Sequence, residues 1–310
     1  MLLLGDWTFC ESWAGYMQTI MKGEYEVSFI SITPFCNDKP DKYGTIYSVL
    51  NYGQIIADKY GIKQVFVTFD QPLYIKAVDI VLATPELLNL IVRLGGFHLV
   101  MSFLGAIGFI MSGSGLQTMW ETVYAPKSVP HMLSGSAYAR ALRAHILTYA
   151  ELVSHLLETD NCLTGINLDR LKAVHQSLLK GDCAVDSVLY EHVITQLTQV
   201  LEDIKAEKGS QTRTGKLWVN YMTMVELLLL FIRAERTGDW DLHLYCVTKM
   251  IPILHSAGHL AYAKSARLYL QQMHELEKKM SQKDWENYTS KGYWTIRRSD
   301  RFWAGKLAIH

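Results

Sequence analysis

Two side chains sit where an open α/β sheet tends to place reactive groups. Asp70 follows the run QVFVTF (64–69), the most strand-like stretch of the chain. An acid at the carboxyl end of a buried strand, with a helix beginning behind it, occupies the position used by ligand sites in such sheets. A carboxylate there can hold a divalent cation, but a hard cation takes several oxygen ligands. The order Asp-Gln-Pro-Leu (70–73) equally suits a helix cap. Both readings stand at this point, a cap or one metal ligand. His98 comes after Gly95-Gly96-Phe97, directly behind a second apolar run, LIVRL (90–94). The glycines permit a sharp turn, and the imidazole can serve either as a general base or as a hydrogen-bonded structural group.

A second group is the series His243, Cys246, His255 and His259, spaced H-x2-C-x8-H-x3-H. All four types ligate zinc. Gly258 interrupts the second pair and the spacing matches no standard finger, so a chance cluster among 11 histidines competes with a zinc site. The glycines at 105, 108, 113 and 115 lack the Lys-Ser/Thr of a phosphate loop. They suit close helix packing followed by a helix stop. Between Lys264 and Lys306 ten basic residues face five acidic ones, with Trp285, Trp294, Phe302 and Trp303 interleaved. Arg297, Arg298 and Arg301 are the densest part. Such a segment can bind nucleic acid through phosphate contacts and stacking, or form a solvated face.

The elements that position these groups follow from periodicity. Residues 26–32 (EVSFISI) suit a strand ended by Pro34. Residues 45–60 carry apolar positions at helical spacing up to Gly61. Strand 64–69, helix 74–83, strand 90–94 and helix 97–111 complete an alternation that predicts mainly parallel strands, with 64–69 central between 26–32 and 90–94. From 116 onward the segments 117–124, 137–157, 168–179, 187–206, 217–236, 241–255 and 260–279 read as helices. The stretch GSQTRTG (209–215) reads as a surface loop. The expected fold is therefore mixed α/β and predominantly helical, divided at 1–115, 116–290 and a basic, aromatic tail at 291–310.

Composition narrows the class. Thirty basic and thirty acidic residues cancel, so nucleic-acid binding needs a local patch. Hydrophobic residues form 49% of the chain, which supplies a core. Five cysteines without C-x-x-C spacing exclude a secreted disulfide framework and imply an intracellular protein, nuclear or cytoplasmic. The N-terminal MLLLGD lacks a basic flank and is not expected to be a signal peptide. The apolar run 99–111 is shorter than the roughly 20 residues that cross a bilayer. No membrane partner and no secreted partner is expected.

The blocks TIYSVL (45–50), VTFDQPLYIKA (67–77), RLGGFHLVMSFLGAIGFIMSGSGL (93–116), HMLSGSAYARALRAHIL (131–147), LFIRAERTGDWDLHL (230–244), SAGH (256–259), YAKSARLYLQQM (262–273) and RRSDRFWAG (297–305) occur in that order. Together they resemble a group of transposon-derived animal proteins similar to hAT-type DDE transposases. The resemblance implies a partial RNase H-like βαβαβ core followed by a large helical insertion. It makes 26–32, 64–69 and 90–94 the third, fourth and fifth core strands. Asp70 would be the second metal-binding acid and His98 the histidine behind the fifth strand. The ancestral cofactor would be Mg²⁺ or Mn²⁺. The first and last acids of the pattern fall outside this sequence, so the implied protein is truncated, degenerate and expected to hold no cofactor. A helical module binding protein or DNA is the alternative, and a working metal nuclease is a third.

Overall fold

The computed structural model describes residues 28–159, 163, 165–180 and 191–296. Strand β1 (Val65–Phe69) and strand β2 (Leu90–Leu94) pair in parallel, Val65 opposite Leu90 and Phe69 opposite Leu94. Helix α1 (Tyr43–Tyr60) precedes β1, helix α2 (Gln71–Ala83) connects the strands, and helix α3 (Gly96–Ile110) follows β2. This is the strand–helix–strand crossover that the alternating pattern predicts. Gly61 ends α1 in the left-handed region at φ 66°, with Ile62 N donating back to Ala57 O at 2.8 Å.

The helices then run α4 (Leu116–Glu121), α5 (Val129–Leu133), α6 (Tyr138–Thr159), α7 (Leu168–Lys180), α8 (His192–Gln211), α9 (Arg213–Thr237), α10 (Trp240–Ser256), α11 (Leu260–His274) and α12 (Gln282–Thr289). The molecule is thus predominantly helical, with a small parallel sheet.

One hydrophobic cluster runs from Ile46 on α1 to Trp294 behind α12. It takes in both strands and helices α1 to α6 and α9 to α12. Gly53 of α1 lies over Val65, Val67 and Leu90, while Phe66 stacks on Tyr288 of α12 with ring centroids 4.1 Å apart. Alternate β1 side chains point to opposite faces, so the two helices cover opposite sides of the sheet. A smaller cluster joins Ile166, Leu171, Val174 and Val193 of the α7–α8 region. The Lys205 ammonium ties α8 to α9 through Glu202 at 2.7 Å and Glu226 at 3.0 Å, and Tyr149 of α6 donates to Glu226 at 2.8 Å.

Three expectations are corrected. Residues 28–32 form no strand. Phe29 and Ile32 are both 95% exposed, so among the described residues the segment has neither a neighbouring strand nor a covered face to stabilise it. Glu26 and Val27 lie outside the described residues. Consequently β1 pairs with β2 alone among the described residues and is not central. Residues 209–215 are not a loop: α8 and α9 are separated by Thr212 only. The Thr212 side chain caps α9 by accepting from Gly215 N at 2.9 Å. A Cβ on Gly215 would come within 2.2 Å of Lys208 O, so the glycine marks a tight helical corner.

Among the described residues α9 is the one helix long and apolar enough to cross a membrane by length and composition. Half of that window is buried inside the fold, including Leu228, Phe231 and Ile232 at 0% exposure. A buried core helix passes the same test.

The glycines of α3 do pack closely. A Cβ on Gly108 would stand 2.1 Å from Leu133 O, a backbone atom that cannot yield without moving α5. Gly108→Ala should therefore lower the unfolding free energy by about 1–3 kcal/mol in urea titration. Gly44→Ala, where a Cβ meets nothing within 4 Å, should leave stability unchanged or raise it slightly.

Candidate functional site

Parallel pairing brings Asp70 and His98 to the same edge of the sheet. Phe69 and Leu94 are paired, and Gly95 N donates to Phe69 O at 2.7 Å, so both strands end together. The backbone then turns directly into α2 and α3. The Asp70 carboxylate accepts from Leu73 N at 3.1 Å, with Pro72 in the first turn behind it. It is the N-cap of α2. Beside it stand groups from α11: Gln71 Nε2 donates to Ser265 Oγ at 3.0 Å, and burial together with the Asp70 charge pushes the Tyr262 hydroxyl up to about 12. His98 is exposed, with its ring edge-on to Phe97 at 5.4 Å. Among the described residues no three His, Cys, Asp or Glu side chains converge to hold a metal ion. Asp70 is thus a carboxylate that serves a backbone amide, and among the described residues it is not part of a group of three or more metal-ligating side chains.

The zinc series is not brought together either. His243 is 1% exposed and points into the core, with Nε2 3.0 Å from the Tyr269 hydroxyl. The Cys246 thiol is buried on α10 and pushed up to about 12 by that burial, the opposite of a ligating thiolate. His255 is exposed near the end of α10. His259 turns toward α3, its Nδ1 2.7 Å from Ser102 Oγ. His243 and Cys246 are both buried on α10, whereas His255 is exposed and His259 lies at the start of α11, so the four do not converge.

Sequence reasoning missed the most highly organised polar group of the described molecule. Arg93 of β2, Glu235 of α9, His243 of α10 and Tyr269 of α11 are 4%, 2%, 1% and 1% exposed. The guanidinium donates to Trp294 O at 2.8 Å and lies over the Trp294 ring at 4.9 Å and the Trp240 ring at 6.0 Å. Burial works against its charge, but Tyr288, Tyr269 and the Glu235 carboxylate together hold it above the usual guanidinium range. Glu235 Oε1 is 2.7 Å from His243 Nδ1, although the pair lacks hydrogen-bond alignment. Burial keeps His243 below the ordinary imidazole range, and Arg93 adds to that, against the pull of Glu235. The cluster therefore sets a guanidinium and a carboxyl group around an imidazole whose protonation burial disfavours. Gly96 makes room for it, since a Cβ there would stand 2.8 Å from the Glu235 carboxyl. The signal in the sequence was Arg93 itself, a charge inside the otherwise apolar run LIVRL that demands a buried counter-charge.

The basic segment changes character in the fold. Trp294 is 4% exposed and Trp285 packs against the core, so neither is a stacking platform for bases. Lys264, Arg267, Lys278, Lys279, Lys283 and Lys291 are exposed. Arg297, Arg298 and Arg301 lie outside the described residues.

Two outcomes follow from the buried charges. Glu235→Gln removes a carboxylate that favours the buried Arg93 charge and should cost about 1–3 kcal/mol in denaturant unfolding. Arg93→Met combined with Glu235→Gln should cost clearly less than the sum of the single changes. The second outcome concerns pH. His145 is fully buried between Trp120 and Tyr221, its Nδ1 2.9 Å from the Tyr221 hydroxyl, and burial pulls it down to about 3. His243 is shifted the same way. Their folded values lie below the unfolded one, so the unfolded chain takes up protons first as pH falls. Stability is then full above about pH 6.5 and declines below it, by about 1.4 kcal/mol per pH unit for each such histidine. Urea midpoints at pH 7, 6 and 5 measure this, and His145→Gln should flatten the slope.

No curated protein and no solved structure matches the chain. A family model described as "Domain of unknown function (DUF8702)" matches residues 12–308. That span contains both strands, the edge at Asp70 and every residue of the buried Arg93–Glu235–His243 cluster. On that match the chain belongs to the DUF8702 family.

Proposed function

We propose that this chain is a transposase-like protein that has no catalysis of its own and acts by binding. The observation that carries the reading is the use made of Asp70: its carboxylate caps α2 through Leu73 N at 3.1 Å, and among the described residues it belongs to no group of three or more metal-ligating side chains. The lineage rests on the resemblance of the ordered blocks. It is supported by a parallel β–α–β unit with an acid at the carboxyl end of its first strand. A cation bound there would keep most of its waters and gain little over free solution.

A second observation favours binding of protein. Of the 22 large hydrophobic residues exposed among the described residues, 11 fall between Phe29 and Ile62. Such a concentration in one short stretch marks a contact surface more than scattered exposure does.

Calorimetry with Mg²⁺ and Mn²⁺ tests the reading. The purified chain should bind neither tighter than about millimolar, the range of weak oxygen-ligand sites. Asp70→Asn should preserve stability, because Asn caps as well as Asp, while Asp70→Ala should lose about 1 kcal/mol. Micromolar metal binding that disappears in Asp70→Asn, or nicking of supercoiled DNA by the wild-type chain, would overturn the proposal.

A further inference from the structure

Two features of the N-terminal region are unsatisfied and complementary. The first is the outer edge of β1. The strand pairs with β2 on one side, and among the described residues no other backbone group joins its ladder apart from Gly95 N on Phe69 O, which continues the β2 side. All five β1 residues are half-buried, whereas all five β2 residues are buried. A row of backbone amides and carbonyls is therefore open to a further strand, the arrangement that natural proteins otherwise cover or charge.

The second feature is the segment 29–35, FISITPF. Phe29, Ile32 and Phe35 are 95%, 95% and 93% exposed, Ile30 is 51% exposed, and the segment contains no charge. Its first five residues are aromatic, β-branched or small, a composition that favours an extended strand, and Pro34 sets the end. Five residues match the length of β1. The segment leads into a fixed turn, where Lys42 Nζ reaches Asp38 Oδ1 at 2.7 Å, Lys76 Nζ bonds Asp41 O, and Tyr43 donates to Asp79 at 3.4 Å. That turn holds the start of α1 on α2, while residues 29–37 stand clear of the sheet.

We infer that the open edge of β1 is a docking site for a strand, and that its occupant is residues 29–33 of a second copy of this chain. Each copy then offers one edge and one strand, so two reciprocal additions use up both features in a closed two-fold dimer. A stable homodimer needs roughly 800 Å² from each partner. Beyond the strand pairs, Tyr43, Tyr47 and Ile55, exposed on α1, supply apolar surface on the helix that covers β1. The inference does not depend on the lineage or on the absence of catalysis.

Light scattering after size exclusion, with amide exchange on the same sample, tests it. The full chain should be a dimer at micromolar concentration, with slow exchange in both 29–33 and 65–69. Ile32→Pro changes an exposed residue and should leave the circular dichroism of the helices intact while giving a monomer with fast exchange at those amides of 65–69 that do not bond β2. A peptide of sequence SFISIT should bind that monomer and restore protection of 65–69, at least tenfold tighter than a peptide with lysine at the second isoleucine. A wild-type monomer would overturn the inference, whether 29–33 is protected, which means pairing within one chain, or unprotected. A dimer that survives Ile32→Pro with the amides of 65–69 that face away from β2 still protected would overturn it equally.

Discussion

The burial of the Arg93 guanidinium, held by the Trp294 carbonyl and enclosed by Trp240 and Trp294 with Glu235 acting on it electrostatically, is the constraint on which the rest of the architecture depends. Arg93 sits in the more buried of the two strands and cannot reach water. It must be met by opposite charge and hydrogen-bond acceptors drawn from distant sequence. Glu235 arrives from the end of α9, Tyr269 from α11, Tyr288 from α12 and the Trp294 carbonyl from the segment behind it. Each of these elements has to be in place before the charge is satisfied. One residue thereby fixes the relative placement of β2, α3, α9, α10, α11 and α12.

Secondary contacts lock the same junction. Trp294 Nε1 donates to Gly238 O at 2.9 Å and Thr295 Oγ1 donates to Glu235 O at 2.7 Å, both at the carboxyl end of α9. Gly238 closes α9 at φ 75°, and the Asp239 side chain starts α10 by accepting from Leu242 N at 3.0 Å. The sequence AERTGDWDLH (234–243) is therefore a corner: it ends one helix, begins the next and delivers both Glu235 and His243 to the cluster. Its aromatic lining, Trp240, Tyr288 and Trp294, excludes water and strengthens the interaction of the enclosed charges. A polar junction of this kind is costly when incomplete and specifies one arrangement of the helices when complete.

The sheet edge at Asp70 and the buried junction meet through α3. Gly96 opens α3 against the Glu235 carboxyl, and His98 lies in the same first turn, facing solvent. The turn that carries His98 is also the place where the small sheet is fastened to the helical part. Conservative-looking changes there act on packing and charge burial. The two glycines before His98 serve that closeness: a Cβ on Gly95 would already stand 3.0 Å from Phe69 O.

Local chemistry determined much of this in advance. The period of the apolar residues specified α1, β1, β2, α3 and α9 to α11 within a few residues, because a helical stripe or a buried strand is written in consecutive positions. Gly61 as a helix stop and Asp70 as a cap are local too, since both act on backbone within four residues. What the sequence alone left undecided depended on partners far along the chain. Residues 28–32 have strand composition but lack a neighbour in the described molecule. GSQTRTG has loop composition, yet Thr212 and Gly215 turn it into a one-residue helical corner. The spacing of His243, Cys246, His255 and His259 left a zinc site open beside a chance cluster, and the tertiary structure buries the first two, exposes His255 and turns His259 toward α3. The charge cluster joins residues 93, 235, 243 and 269, whose proximity no local pattern encodes. Burial decided it: a charge in a covered strand is tolerated only where the fold delivers its counter-charge.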